Sequence, residues 1–227
     1  MNICVLSNFM KEVYDMKRML WGELLVLLFS TMVFAQENIE APIWNIGDKW
    51  FFTLGNIEVA AADPKTFTLN FSDDACKFQK QSFKAIIFEK TTLNRIGGIE
   101  GGQQKKYKLG LRRMFDFPLN MGKQWKDEYS GRRLVGVHPD LFESYTETFT
   151  VLGWEDLEVR AGKFRAIKLE YKHVITASTM RFASVPFEMK SIFWYSPAAK
   201  YFIKSQYDKS IADEVKDWEL TSLKGKK

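Results

Sequence analysis

The chain has 227 residues, a formal net charge of +5 and a sequence pI near 9.0, with 46% hydrophobic and 15% aromatic residues. So mild a basic excess, with acidic residues interspersed, reads first as a solvated face, and a secreted protein, which the leader described below makes of this one, rarely meets nucleic acid. With two histidines and two cysteines, the chain has almost no ligands for a structural zinc site.

From Met16 the sequence reads Met-Lys17-Arg18, then an apolar run from Leu24 to Phe34, then Ala35-Gln36. A short basic segment, about ten apolar residues and small residues before the cut are the marks of a secretory signal peptide. Val33 and Ala35 suit positions −3 and −1, so cleavage is expected after Ala35, with residues 1–15 read as sequence upstream of the true start. The alternative, an uncleaved membrane anchor, is disfavoured because the run falls short of the ~20 residues needed to span a bilayer. Removing residues 1–35 leaves 36–227 as one domain, exported to the periplasm or the exterior and not integral to the membrane. Only Cys76 remains, so no internal disulfide can form and the fold must rest on its core. Gln36, not cysteine, follows the cut, so no lipid anchor is expected.

Pro42 and Trp44 lie in a lead-in that should pack its tryptophan against the domain. Gly47-Asp48-Lys49-Trp50 then opens a strand, and the same spacing returns at Gly122-Lys123-Gln124-Trp125, a hint of an internal repeat. Alternation predicts strands over Thr66–Phe71, Phe83–Leu93, Lys106–Arg112 and Tyr145–Val151. Leu157 and Val159 alternate with charged residues before Gly162, and Ile167, Leu169 and Tyr171 alternate with Lys168, Glu170 and Lys172 after it, which makes a β-hairpin. Ser191–Tyr195 and Lys200–Tyr207, separated by Ser196-Pro197, form a second pair, and Trp218–Leu223 a closing strand. Short helices are expected at Asp140–Thr146 and Ser210–Lys216, too small to cover a large sheet. The fold class is therefore mainly β: a single curved antiparallel sheet, half-barrel or sandwich-like, with at most one or two short helices.

The ordered set Gly47-x-x-Trp50, Phe117-Pro-Leu-Asn-Met-Gly-Lys-Gln-Trp125, Ala161-Gly162-Lys-Phe164 and Trp194-Tyr-Ser-Pro197 resembles a group of secreted bacterial proteins of unknown function. That resemblance implies a curved antiparallel sheet similar to the lipoprotein-localisation carriers, with a concave apolar face. The sequence departs from it at Ala198-Ala199-Lys200, where a glycine is expected.

For chemistry, the scarce groups are His138, His173 and Cys76. His173 shares the inward parity of Ile167, Leu169 and Tyr171, where a hydrogen-bonded core histidine is the ordinary outcome. The acidic neighbours Asp73 and Asp74 disfavour a reactive Cys76 thiolate, and the same pair reads as a polar turn and not a calcium loop. No enzymatic activity, metal or cofactor is expected. What remains is binding: a hydrophobic or lipid-like ligand on the concave face, lined by Trp50, Phe149, Val151, Ile167, Leu169, Tyr171 and Trp194. The alternative is a module docking on a cell-envelope protein through a sheet edge or through the basic cluster of Lys105, Lys106, Lys108, Arg112 and Arg113.

Overall fold

Two segments of the same form, Asn45-Ile-Gly47-Asp-Lys-Trp50 and Asn120-Met-Gly122-Lys-Gln-Trp125, each turn the chain into the first strand of a six-strand meander. In the computed structural model, which describes residues 38–78, 83–106, 113–132, 142–178, 186–208 and 217–225, both glycines take positive φ, 90° and 79°. A side chain is strained there, so glycine is the residue that fits. The backbone bonding is the same at both corners. Gly47 N–H donates to Val59 O and Val59 N–H to Asp48 O, while Gly122 N–H donates to Val151 O and Val151 N–H to Lys123 O.

The first meander comprises β1 (Lys49–Phe52), β2 (Gly55–Ala62), β3 (Thr66–Phe71), β4 (Ala85–Glu89), β5 (Arg95–Glu100) and β6 (Gln103–Lys106). The second comprises β7 (Gln124–Arg132), β8 (Phe142–Val159), β9 (Gly162–Ser178), β10 (Phe187–Ser196), β11 (Tyr201–Tyr207) and β12 (Trp218–Lys224). All neighbours are antiparallel, and β1 pairs with β12 to give one sheet ordered β6-β5-β4-β3-β2-β1-β12-β11-β10-β9-β8-β7, which does not close. The mainly β class and the C-terminal meander expected from alternation are both present.

The repeat extends to the irregularities. Register slips between Val59↔Leu69 and Ala61↔Thr68 in the first half, and between Val151↔Leu169 and Gly153↔Lys168 in the second. It slips again between Ile87↔Gly97 and Phe88↔Arg95, and between Trp194↔Lys204 and Tyr195↔Phe202. Bulges bend and twist a strand, so the halves curve at matching places. Among the described residues, the non-glycine positions with left-handed φ are Leu93 (53°) and Lys200 (58°), and each ends the turn after a matching strand, β4 or β10. Lys200 thus occupies the conformation for which glycine was expected after the Ser196-Pro197 corner.

Two sequence expectations change. Phe142–Thr146 is not helical but opens β8, paired to β7 on one side and β9 on the other. Glu143, Tyr145 and Glu147 face one way with period two, and ladder pairing on both sides outweighs a local helix signal. The described helix, α1 (Asp73–Phe78), lies instead where a polar turn was expected; Ser72 Oγ accepts from Ala75 N–H and the first turn carries Asp73 and Asp74. The leader, His138, Ser210–Lys216 and most of Lys106–Arg112 lie outside the described residues. No described helix is long and apolar enough to cross a membrane.

The core is aromatic. Trp44, in the lead-in, is 2% exposed and sits within 6.0 Å of Trp50, Phe67, Phe88 and Tyr201, centroid to centroid. Its indole N–H donates to Lys200 O at 2.9 Å, and that of Trp50 to Ala199 O at 2.6 Å. Trp50→Phe keeps the apolar volume but orphans a buried carbonyl, so it should lower stability by about 1–3 kcal/mol. Trp44→Phe, whose bond is only partly buried, should cost less. Urea unfolding of the two variants measures the order, and a midpoint for Trp50→Phe equal to wild type would contradict it.

Candidate functional site

Strand parity carries one row of side chains from β7 to β10 on the inner face. Trp125 pairs with Phe149, Phe149 with Tyr171, and Tyr171 with Ser191. One step along, Glu147 pairs with His173, and Tyr145 with Ile175. The rings follow in contact: Trp125–Phe149 at 5.1 Å, Phe149–Tyr171 at 4.8 Å and Tyr171–Phe193 at 5.8 Å. Edge-to-face and offset contacts of this kind add stabilisation beyond their buried area.

From the first half, β5 begins with Arg95, directly after the left-handed turn at Leu93. Arg95 pairs with Phe88, and its guanidinium lies 5.8 Å from the Phe88 ring centre. In the sheet order β5 and β8 are nine strands apart, about 40 Å in a flat sheet at ~4.8 Å per strand. Nevertheless Arg95 and Glu147 line one partly open cavity of about 150 Å³, with Met114, Phe149, Tyr171, Phe193, Tyr201, Phe202, Tyr207 and Trp218. The sheet is therefore strongly curled.

Both charged groups are buried, Arg95 at 5% exposure and Glu147 at 3%. Glu147 Oε1 accepts from the hydroxyls of Tyr129 at 2.8 Å and Tyr171 at 2.9 Å, which fixes the carboxylate. Beside it, Tyr145 donates to Glu143, which is 5% exposed. Arg95 bonds the Tyr201 hydroxyl; burial raises the Tyr201 pKa, and the Arg95 charge and that hydrogen bond oppose the rise. Burial likewise raises Tyr207 and Tyr195. These phenols stay neutral across the physiological range and serve as hydrogen-bonding walls. A second, surface depression of about 500 Å³ is formed by residues 41–46 with Ala62, Phe67 and Lys90. It carries the exposed Ile43 and Ile46 but only one charged group.

Of the residues expected to line a concave face, Phe149 and Tyr171 lie at the cavity. Trp50, Val151, Ile167 and Leu169 are 0–2% exposed within the core. Trp194 lies opposite Lys168 and Lys204 on the other face of the sheet from Leu169 and Phe193. There it is 4% exposed, with an ammonium group 5.3 Å from the ring centre on each side and its indole N–H donating to Glu155 at 3.0 Å. His173 has the inward parity expected of it and lies between Tyr145 and Tyr171, at 5.8 and 5.9 Å. Cys76 belongs to α1, and its side chain lies outside the described residues, as do Lys108 and Arg112 and the side chain of Lys106; Lys105 and Arg113 are exposed. Among the described residues no three His, Cys, Asp or Glu side chains are grouped to hold a metal ion.

Sequence reasoning missed Arg95 and Glu147. Glu147 did carry a signal, since it stands in the inward parity of Tyr145, Phe149 and Val151 where a carboxylate is out of place. Arg95 carried none, because a curled sheet brings it across from strands far away in the order.

No protein-family model and no curated protein matches the chain. Among the solved structures that resemble it are three at 12% sequence identity each. A candidate exported protein with a YmcC-like fold from Bacteroides fragilis NCTC 9343 aligns over 83% of this chain and 100% of its own, with a TM-score of 0.37. The hypothetical lipoprotein YmcC of Escherichia coli K12 aligns over 88% and 96%, at 0.33. A candidate lipoprotein from Parabacteroides distasonis ATCC 8503 aligns over 83% and 100%, at 0.38.

The Trp194 hydrogen bond is the largest cause holding Glu155 below its ordinary pKa of 4.5, with the Lys168 and Lys204 charges adding to it. A depressed carboxylate stabilises the fold above its unfolded pKa, and that contribution is lost as pH falls through the folded value. In Trp194→Phe, carboxyl-carbon NMR should find Glu155 titrating closer to 4.5. The acid side of the stability curve should flatten accordingly. An unchanged Glu155 titration would show that the lysines alone set it.

Proposed function

We propose that this is an exported, non-enzymatic binding protein that takes the apolar part of a small ligand into the cavity between its two half-sheets. The observation that carries this reading is the cavity itself, apolar rings from β8 to β12 with two buried charges supplied from opposite halves of the sheet. Binding sites have this composition: mostly apolar walls with a few polar groups that orient the ligand. The size narrows the ligand. At about 150 Å³, the size of a cavity that accepts a benzene-sized molecule, it has room for a short apolar group and not for a full-length acyl chain. The cavity's ionisable groups include Arg95, Glu147, and Tyr201 and Tyr207, whose phenols burial keeps neutral, a set suited to recognition. The surface depression at Ile43 and Ile46, 77% and 55% exposed, favours a second reading, docking on an envelope protein, which Ile43→Glu would impair without touching the cavity.

Met114→Trp should fill the cavity from its rim and abolish uptake of short-chain amphiphiles such as hexanoate and hexylamine, while the fold is retained. Quenching of Trp218 fluorescence reads binding, and near-UV circular dichroism reads the fold. If neither probe binds the wild type, or if both bind Met114→Trp equally well, the cavity is not the site.

A further inference from the structure

The cavity lining is sorted by side-chain type in a way that a general apolar site does not require. Among the described residues its wall holds seven aromatic side chains and Met114 but no Leu, Ile or Val. Branched aliphatic side chains fill the core nearby, where Ile167, Leu169, Ile203 and Leu220 are all 0% exposed. The rings form one connected group. Phe193 lies 5.4–6.5 Å, centroid to centroid, from Tyr171, Phe202, Tyr207 and Trp218, and Phe149 lies 4.8 Å from Tyr171. Their interplanar angles run from 36° to 82°, so the edges of some rings meet the faces of others. Polar atoms of the same wall are bonded within the protein: Arg95 to the Tyr201 hydroxyl, Glu147 to those of Tyr129 and Tyr171, and Trp218 to that of Tyr207. A charged group entering the space has to compete with those bonds while losing its own water, which is costly for an ion. The wall therefore offers an occupant mainly π surface, negative at ring faces and positive at ring edges.

From this lining we infer that the group taken up is a single aromatic ring, with any charged part of the ligand left at the cavity's open side. A benzene-sized ring matches a space of about 150 Å³. It extends the edge-to-face set already formed around Phe193, and a saturated ring, which has no such quadrupole, does not. Aromatic pairs gain stabilisation beyond their buried area, which for one such contact amounts to about two- to tenfold in affinity. Transfer from water works the other way, because a saturated ring of the same carbon number has the larger apolar area. The two effects thus order an aromatic and a saturated ligand oppositely.

The inference rests on the cavity being the binding site, and the experiment separates the two. NMR titration of the purified protein, read at the Trp218 indole N–H, compares benzyl alcohol with cyclohexylmethanol and cyclopentylmethanol. All three are neutral and carry one hydroxyl. The first saturated alcohol matches the aromatic one in carbon number and the second approaches it in volume, so bulk alone does not favour the aromatic ring. The expected result is saturable binding of benzyl alcohol, about three- to tenfold tighter than of either saturated alcohol. Phe193→Leu, which replaces the central ring by an aliphatic group, should bring that ratio towards one. If Phe193→Leu fails to fold, by near-UV circular dichroism, the three-alcohol comparison on the wild type decides alone. Binding of either saturated alcohol as tightly as benzyl alcohol overturns the aromatic ligand while leaving an apolar-ligand site standing. An unchanged ratio in folded Phe193→Leu, or equal binding of benzyl alcohol to Met114→Trp, puts the preference outside this wall and overturns it too. Binding of none of the three overturns it as well, and failure of hexanoate and hexylamine then removes the cavity reading with it.

Discussion

Two indole N–H groups hold the halves of this molecule to one another. Sheet pairing between β1 and β12 joins the meanders edge to edge, but a ladder alone lets a sheet flex about its strands. Trp44 and Trp50 reach from the first half to the carbonyls of Lys200 and Ala199 at the β10–β11 corner of the second. That corner is where Lys200 adopts a left-handed φ of 58°, and a buried carbonyl there needs a donor. With the indoles in place, the Trp44, Trp50, Phe67, Phe88 and Tyr201 rings form one cluster from both halves. That cluster fixes the two halves against one another in the curved sheet that brings Arg95 and Glu147 to one cavity.

The duplication explains why the two halves curve alike, and its asymmetry explains where a site could arise. Both halves share the Gly-x-x-Trp corner, the two bulges and the left-handed turn residue at matching positions. The hairpins differ. β1 and β2 are 4 and 8 residues long, whereas their counterparts β7 and β8 have 9 and 18. The added length carries Tyr129, Glu143, Tyr145 and Glu147, a group of polar side chains on a largely apolar face. The shared parts build the scaffold, and the unshared extension furnishes one wall with chemistry.

Much of the scaffold was legible because its signals are local. Period-two alternation placed β9 from Ile167, Leu169 and Tyr171, and Pro197 marked the break between β10 and β11. Gly47 and Gly122 declared the repeat, although the bulges that complete it leave no mark in composition. Trp194 was misplaced: β10 runs in unbroken register with β9, so Trp194 shares its face with Lys168 and Lys204 and not with Phe193 and Leu169, and a ring read as inward lies under two lysines. The helix expected from Asp140 to Thr146 fails over its described part, Phe142–Thr146, because pairing to strands on both sides decides what a short local signal cannot. The site was least legible, because Arg95 and Glu147 reach one cavity only through long-range curvature.

The aromatic surplus, 19 Phe, 8 Tyr and 7 Trp, takes its meaning from the same geometry. A twelve-stranded sheet with no covering helix among its described residues must occupy its own concavity, and side chains that bury ~150–250 Å² each do so most economically. Interiors pack densely, so rings crossing from both halves leave little space, and the 150 Å³ beside Arg95 and Glu147 is what remains. In so confined a space an apolar wall offers small discrimination, since a methylene more or less changes binding by only ~1–3 kcal/mol. The aromatics thus hold the fold together and set the size of the space beside Arg95 and Glu147.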